Sequence, residues 1–204
     1  MVASATAHAE PKTAIDWAAG VVTADGVGVA DRHAPNPAVA RGTSRRVAED
    51  AARVVLRKQL EALPVAAGGT VAAKAKDKDV AARLDRAVAA AIAVAADPET
   101  DGAWRVTMAV PIEAVRQALD GGRALAATGD AATAVVIVDG VTAKPAVGWT
   151  VGGKHVPTLW TPKLPAWAAN APHVKATGAA HGDIAADLGA TAGDGTLAVI
   201  LVAP

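Results

Sequence analysis

From Ile15 to Val29 the chain reads as β-rich backbone broken by turns at Gly20, Gly26 and Gly28, and at Asn36-Pro37 it carries a helix start. Asn offers a side-chain acceptor to the free amides of a first helical turn, and Pro at the next position has its φ preset and no amide to lose. A strand segment that hands over to a long helix at so clear a boundary points to layers of sheet and helix.

The helix is expected over Ala38 to Leu63. Val47, Ala51, Val54, Val55, Leu60 and Leu63 follow helical spacing, while Arg46/Asp50, Glu49/Arg53 and Arg57/Glu61 stand four apart on the wet face. Pro64 and Gly68-Gly69 end it, and the weak alternation of Thr70 to Lys76 predicts a short edge strand. Asp77 or Asp79 caps a second helix through Val80, Leu84 and Val88. Ile92 and Ala95 could continue that helix, but the turn cluster Asp97 to Gly102, followed by alternating Trp104, Val106, Met108 and Val110, favours a switch to strand near Val88 and a hairpin. Pro111 opens a short helix with Ile112, Val115 and Leu119 on one face, stopped at Asp120-Gly121-Gly122. Val135–Val138 and Leu197–Val202 are strand cores, and the Pro-rich stretch between them, around Trp149, Trp160 and Trp167, reads mostly as ordered loop. The expected fold is α+β: a mixed or antiparallel sheet packed by one long and one or two short helices, with a loop-rich C-terminal β region and no parallel doubly wound sheet. Residues 1–12 read as a flexible tail, 13–120 as the α+β domain and 121–204 as the C-terminal region.

Composition narrows the chemistry. Hydrophobic residues make up 52% of 204, yet Phe, Tyr and Cys are all 0 and Trp, at 5, is the only aromatic. An Ala/Val core removes less apolar surface per residue at roughly 25 cal/mol per Å², so large residues such as Leu84 and Trp104 carry more of the stability. Zero Cys excludes disulfides, thiolate catalysis and Cys-ligated zinc. With 20 basic and 20 acidic residues the net charge is +0, which lacks the footprint of nucleic-acid binding. No window has the run of about 18 apolar residues that a membrane span needs. Ala7-His8-Ala9 resembles the end of a secretory signal without its apolar region, or else an Ala-rich tail.

Several segments together resemble one family, the small bacterial outer-membrane lipoproteins of the membrane-associated lipoprotein-antigen type, whose domain is similar to the N-terminal domain of flagellar assembly protein T. The matching residues are Gly20 to Gly28, Asn36-Pro37 with Ala40-Arg41 and Arg45-Arg46, and Asp101 to Thr107 leading to Val110-Pro111. In the second half they are Val135 to Gly140 with Lys144-Pro145-Ala146, Val174 to Gly178 before Asp183-Ile184, and Val199 to Val202. The resemblance implies an α+β fold and a cell-envelope setting, periplasm or outer membrane. It brings no catalytic residues, and the chain departs from the family in having no lipid-accepting Cys.

Each site candidate has a plain structural counterpart. Asp97, Glu99, Asp101 and Gly102 imitate the start of a calcium loop, but Met108 stands where the bidentate carboxylate belongs, so a solvated hairpin turn is expected and no metal site is assigned. His155, His173 and His181 lack zinc-motif spacing. Ser44 has no nucleophile elbow. Gly26-x-Gly28 lacks the third Gly of a dinucleotide loop and reads as a turn. Arg41, Arg45 and Arg46 offer a basic helix face to an acidic partner, or form a charged surface balanced by Glu49, Asp50 and Glu61. Trp149, His155, Trp160 and Trp167 on Pro-stiffened loops are the candidate binding surface, unless the Trp rings fill a core that has no Phe or Tyr.

The expectation is a non-enzymatic envelope- or surface-associated module that engages a protein partner or self-associates, with no cofactor. The alternatives are a small-molecule or glycan-binding module using the Trp-rich loops, and a hydrolase whose carboxylates escape recognition.

Overall fold

The structure, a computed structural model, describes residues 13–100, 102–121, 135–189 and 196–202. The first half holds β1 (Thr13–Asp16), β2 (Val21–Gly28), α1 (Pro37–Ala62), α2 (Val71–Lys74), α3 (Lys78–Ala89), β3 (Ile92–Pro98), β4 (Trp104–Pro111) and α4 (Ile112–Leu119). The second holds β5 (Val135–Val141), β6 (Thr150–Val151), β7 (Thr158–Thr161), a 3-10 turn at Ala166–Ala168, β8 (His173–Lys175), β9 (Gly178–Ala180), β10 (Asp183–Ala185) and β11 (Leu197–Val202). This is the α+β class expected.

Asn36 caps α1: its Oδ1 accepts the Val39 amide at 2.9 Å, and Pro37 is the first helical residue. The helix lies on an antiparallel sheet of order β1-β2-β4-β3. Its buried stripe is Ser44, Ala48, Ala52, Leu56 and Leu60, one residue every four. Opposite it, alternate residues of β2 are buried. Both stripes taper together, from Leu60 to Ser44 on the helix and from Val22 through Ala24 to Gly26 and Gly28 on the strand. A Cβ on Gly26 would overlap the backbone of Ala48 and Ala52, and one on Gly28 the backbone of Ser44 and Ala48. The helix therefore meets the strand backbone to backbone. The Ser44 hydroxyl donates to the carbonyls of Arg41 and Gly102, both at 3.0 Å, and ties α1 to the β3–β4 turn.

This contact corrects three expectations. Gly26 and Gly28 lie inside β2 rather than in a turn. The buried face of α1 is rotated by one residue, leaving Val47 48% and Val54 58% exposed, because closest approach selects the smallest side chains. Asp50 pairs with Arg53 at 2.9 Å instead of Arg46; Arg45–Glu49 at 3.2 Å and Arg57–Glu61 at 2.9 Å complete the wet face.

Thr70 to Lys76 is a further correction. Thr70 accepts the Ala73 amide at 3.4 Å and caps the single turn α2, whose Val71 is buried. An Ala/Lys alternation buries too little to hold a strand, whereas a Thr cap before an Ala run closes a turn locally. Asp77 caps α3, which runs to Ala89, and β3 follows from Ile92, so the switch from helix to strand occurs as expected.

The second half is more ordered than its Pro content suggests. β7, β11, β5 and β8 form a wholly parallel sheet in that order, and β6-β10-β9 form a small mixed one. The strands β5 and β11 are nearly continuous apolar runs because both faces are covered: Val136, Val138, Ala198 and Ile200 pack with Trp149 and Trp160 on one side, Ile137 and Val199 with Ala168 on the other. The halves are joined by backbone bonds Ala66 N to Val147 O and Val147 N to Pro64 O, each 2.9 Å, and Trp160 N to Trp17 O, 3.0 Å. Trp17 packs against both cores. Among the described residues no helix is long and apolar enough to cross a membrane.

Candidate functional site

The Trp-rich surface expected from sequence divides. Trp160 is 2% exposed and Trp149 8%, with ring centroids 6.0 Å apart and planes tilted by 53°. Trp149 donates its ring N–H to the Lys144 carbonyl at 3.3 Å, while that of Trp160 is buried with no partner among the described residues. These two rings are core rather than contact surface: a core without Phe or Tyr draws them in. Trp167, on the 3-10 turn, is 60% exposed and is the single Trp of the three that a partner could reach.

The basic face of α1 is also divided. Arg45 is held by Glu49 and lies 5.4 Å from the ring centroid of Trp104, a cation–π contact. Arg41 lines a shallow surface hollow with Asp31, Arg32 and Asn36. Arg46 points to solvent with no ion pair among the described residues. The turn that imitates a calcium loop is a hairpin: Glu99 N bonds Ala103 O at 2.8 Å, and the Glu99 side chain pairs with Arg105 at 3.4 Å. Asp101 lies outside the described residues.

His155 leads to a different place. It lines a cavity of about 420 Å³ at the seam between the halves, with Val65, Lys74, Val80 and Leu119 from the first half and Gly148, Thr150, His181 and Gly182 from the second. Asp77 and Asp120 complete its polar wall. His173, the third imidazole considered, sits elsewhere and faces Asp139 at 2.7 Å. Among the described residues no three His, Asp or Glu side chains converge as metal ligands.

Behind the cavity runs a chain of charges. His155 Nδ1 is 3.5 Å from Asp120 Oδ2, which accepts from Arg116 Nη1 at 2.7 Å. Arg116 is buried and forks onto Glu113, Nε to Oε2 at 2.8 Å and Nη2 to Oε1 at 2.6 Å. These hydrogen bonds to Glu113 raise the guanidinium above its ordinary pKa, against the opposing effect of burial, with the charge of Asp120 adding to the rise. Glu113 and Arg116 in turn line a second, smaller cavity of about 260 Å³ against Val147 and Leu159. Arg116 thus lines this second hollow itself and is tied to the seam cavity through Asp120. Thr150 closes the far side, its hydroxyl donating to Asp183 Oδ1 at 2.5 Å.

Glu113, Arg116 and Asp120 stand three and four apart on α4, a spacing visible in sequence as a charged stripe. What the spacing does not reveal is that the second half folds over it. No protein-family model matches the chain, and no curated protein matches it either.

Proposed function

We propose that this chain is a non-enzymatic binding module whose ligand seats in the seam cavity. The observation that carries the reading is the convergence of His155, His181 and Lys74 from separate segments on one hollow of about 420 Å³, the size of a small-molecule site. The non-enzymatic part is supported by how the His155–Asp120 pair is completed: Asp120 is held by Arg116, and the nearby Thr150 hydroxyl is committed to Asp183, so that hydroxyl is not offered to the imidazole as a nucleophile. A cell-envelope setting and kinship with the lipoprotein-antigen type belong to the same proposal, on the motif resemblance alone.

The test is thermal unfolding against a library of small polar ligands, with Ala67→Trp as a blocked control. Ala67 is exposed on the cavity rim, so the larger ring occupies the hollow without entering the core. A ligand at about 100 times its Kd adds about 2.7 kcal/mol, which raises Tm by about 5 to 10 °C. The expected result is a rise for the wild type that A67W abolishes, with the ligand recovered unchanged. An equal rise in A67W would place the site elsewhere, and conversion of the ligand would make the protein an enzyme.

A second reading, self-association, is favoured by β3. It is an edge strand among the described residues, carries no Lys or Arg, and leaves Ile92 62% and Val94 55% exposed. Lysine, a common guard on such an edge, is missing from it, although Asp97, Pro98 and a bulge between Ala93 and Ala95 stand against pairing with another copy.

A further inference from the structure

We infer that the seam cavity recognises a small zwitterion, an ammonium and a carboxylate on a short apolar body, as in an amino acid. This rests on the seam being the binding site, and it follows from the charges that the fold leaves apart on its wall. Lys74, at the end of α2, brings an ammonium that makes no ion pair among the described residues. Asp77 spends one oxygen on the cap of α3, Oδ1 accepting the amides of Asp79 at 2.8 Å and Val80 at 3.4 Å, while Oδ2 has no hydrogen bond among the described residues. Asp120 likewise meets Arg116 and His155 through Oδ2 and leaves Oδ1 open. Arg116 is one cation between Asp120 and Glu113, so that cluster retains a net negative charge. Neutral His155, turned to Asp120 through Nδ1, presents an acceptor at its other nitrogen.

The wall therefore carries both signs of charge, and they do not neutralise one another. A ligand with a negative charge alone would meet Lys74 but be repelled by Asp77 and Asp120. One with a positive charge alone would satisfy the carboxylates but be repelled by Lys74. A zwitterion pairs with both, its ammonium donating to Asp77 Oδ2, Asp120 Oδ1 or the outer nitrogen of His155 and its carboxylate accepting from Lys74. Val65, Val80 and Leu119 supply an apolar wall for the body that joins the two charges.

The experiment titrates the full chain with four probes of one carbon skeleton: leucine, leucinamide, isocaproate and isocaproamide, which carry both charges, the cation alone, the anion alone and neither. Amide resonances of Gly148, Thr150 and Gly182 report the seam. Leucine is expected to shift them saturably and to bind about fivefold tighter than leucinamide or isocaproate, the factor for one ion pair still open to water. Lys74→Met, at an exposed position, should erase the advantage of leucine over leucinamide. Asp77→Asn keeps the α3 cap, since Asn caps as well as Asp, and should reduce the advantage of leucine over isocaproate. If leucinamide or isocaproate binds as tightly as leucine, the zwitterion class is overturned and the seam site stands. A preference that either variant leaves unchanged also overturns it. If no probe shifts those resonances, the seam reading falls with it.

Discussion

Gly26 and Gly28 are the positions where one methyl group decides the packing of the first half. Neither has a positive φ, so their role is closeness rather than conformational freedom. Gly28→Ala drives its Cβ into the backbone of Ser44 and Ala48, which cannot move as a side-chain tip would. The expected cost is about 3 kcal/mol, the upper part of the overpacking range, read from the urea midpoint. Gly42→Ala on α1 meets nothing within 4 Å and should instead gain about 0.5 to 1 kcal/mol by removing a flexible residue from the helix. The same logic separates the Trp residues: Trp160→Ala should cost about 3 to 5 kcal/mol, whereas Trp167→Ala should stay within about 0.5 kcal/mol. Asn36 was legible because a cap acts on amides within its own turn. The work of the two glycines was not, since it depends on a helix that begins after them.

Elements with a strong period between clear boundary residues were readable: α1 and α3 behind their Asn36 and Asp77 caps, the β3–β4 hairpin, α4 after Pro111, and the cores of β5 and β11. Elements shorter than a period were not. α2 has a single turn, and β6 to β10 run two to four residues each, too few for alternation to show. The rotation of α1 has a related cause, because hydropathy places Val above Ala while the narrow end of β2, at Gly26 and Gly28, accepts only Ala and Ser. β3 offers the test that belongs here. Val94→Lys puts a charge on the exposed edge and should change Tm by no more than about 2 °C, since Val94 is 55% exposed. It should also remove any concentration-dependent association seen by light scattering. A wild-type chain that stays monomeric at every concentration would end the self-association reading.

Arg116 joins the two halves energetically, its guanidinium between Glu113 and Asp120 with His155 beyond. Arg116→Met leaves two carboxylates beside an uncharged chain. The expected cost is about 2 kcal/mol, below that of a fully buried pair because the carboxylates keep 24% and 26% of their exposure. A raised arginine pKa means that its stabilising contribution is complete below the ordinary arginine range and is lost only as pH rises through the raised value. Wild-type stability should therefore show no loss traceable to Arg116 across about pH 5 to 9, measured by denaturation at each pH. His155 was visible as a candidate from its loop, but its companions were not, because Lys74, Asp120 and His181 lie far apart in the chain. Local order set by caps, periods and turn residues came from the sequence, since each depends on neighbours within a few positions. Which face of α1 is buried, which Trp rings are core, and which side chains meet at the seam were set by tertiary packing, because all three depend on how closely distant backbones approach.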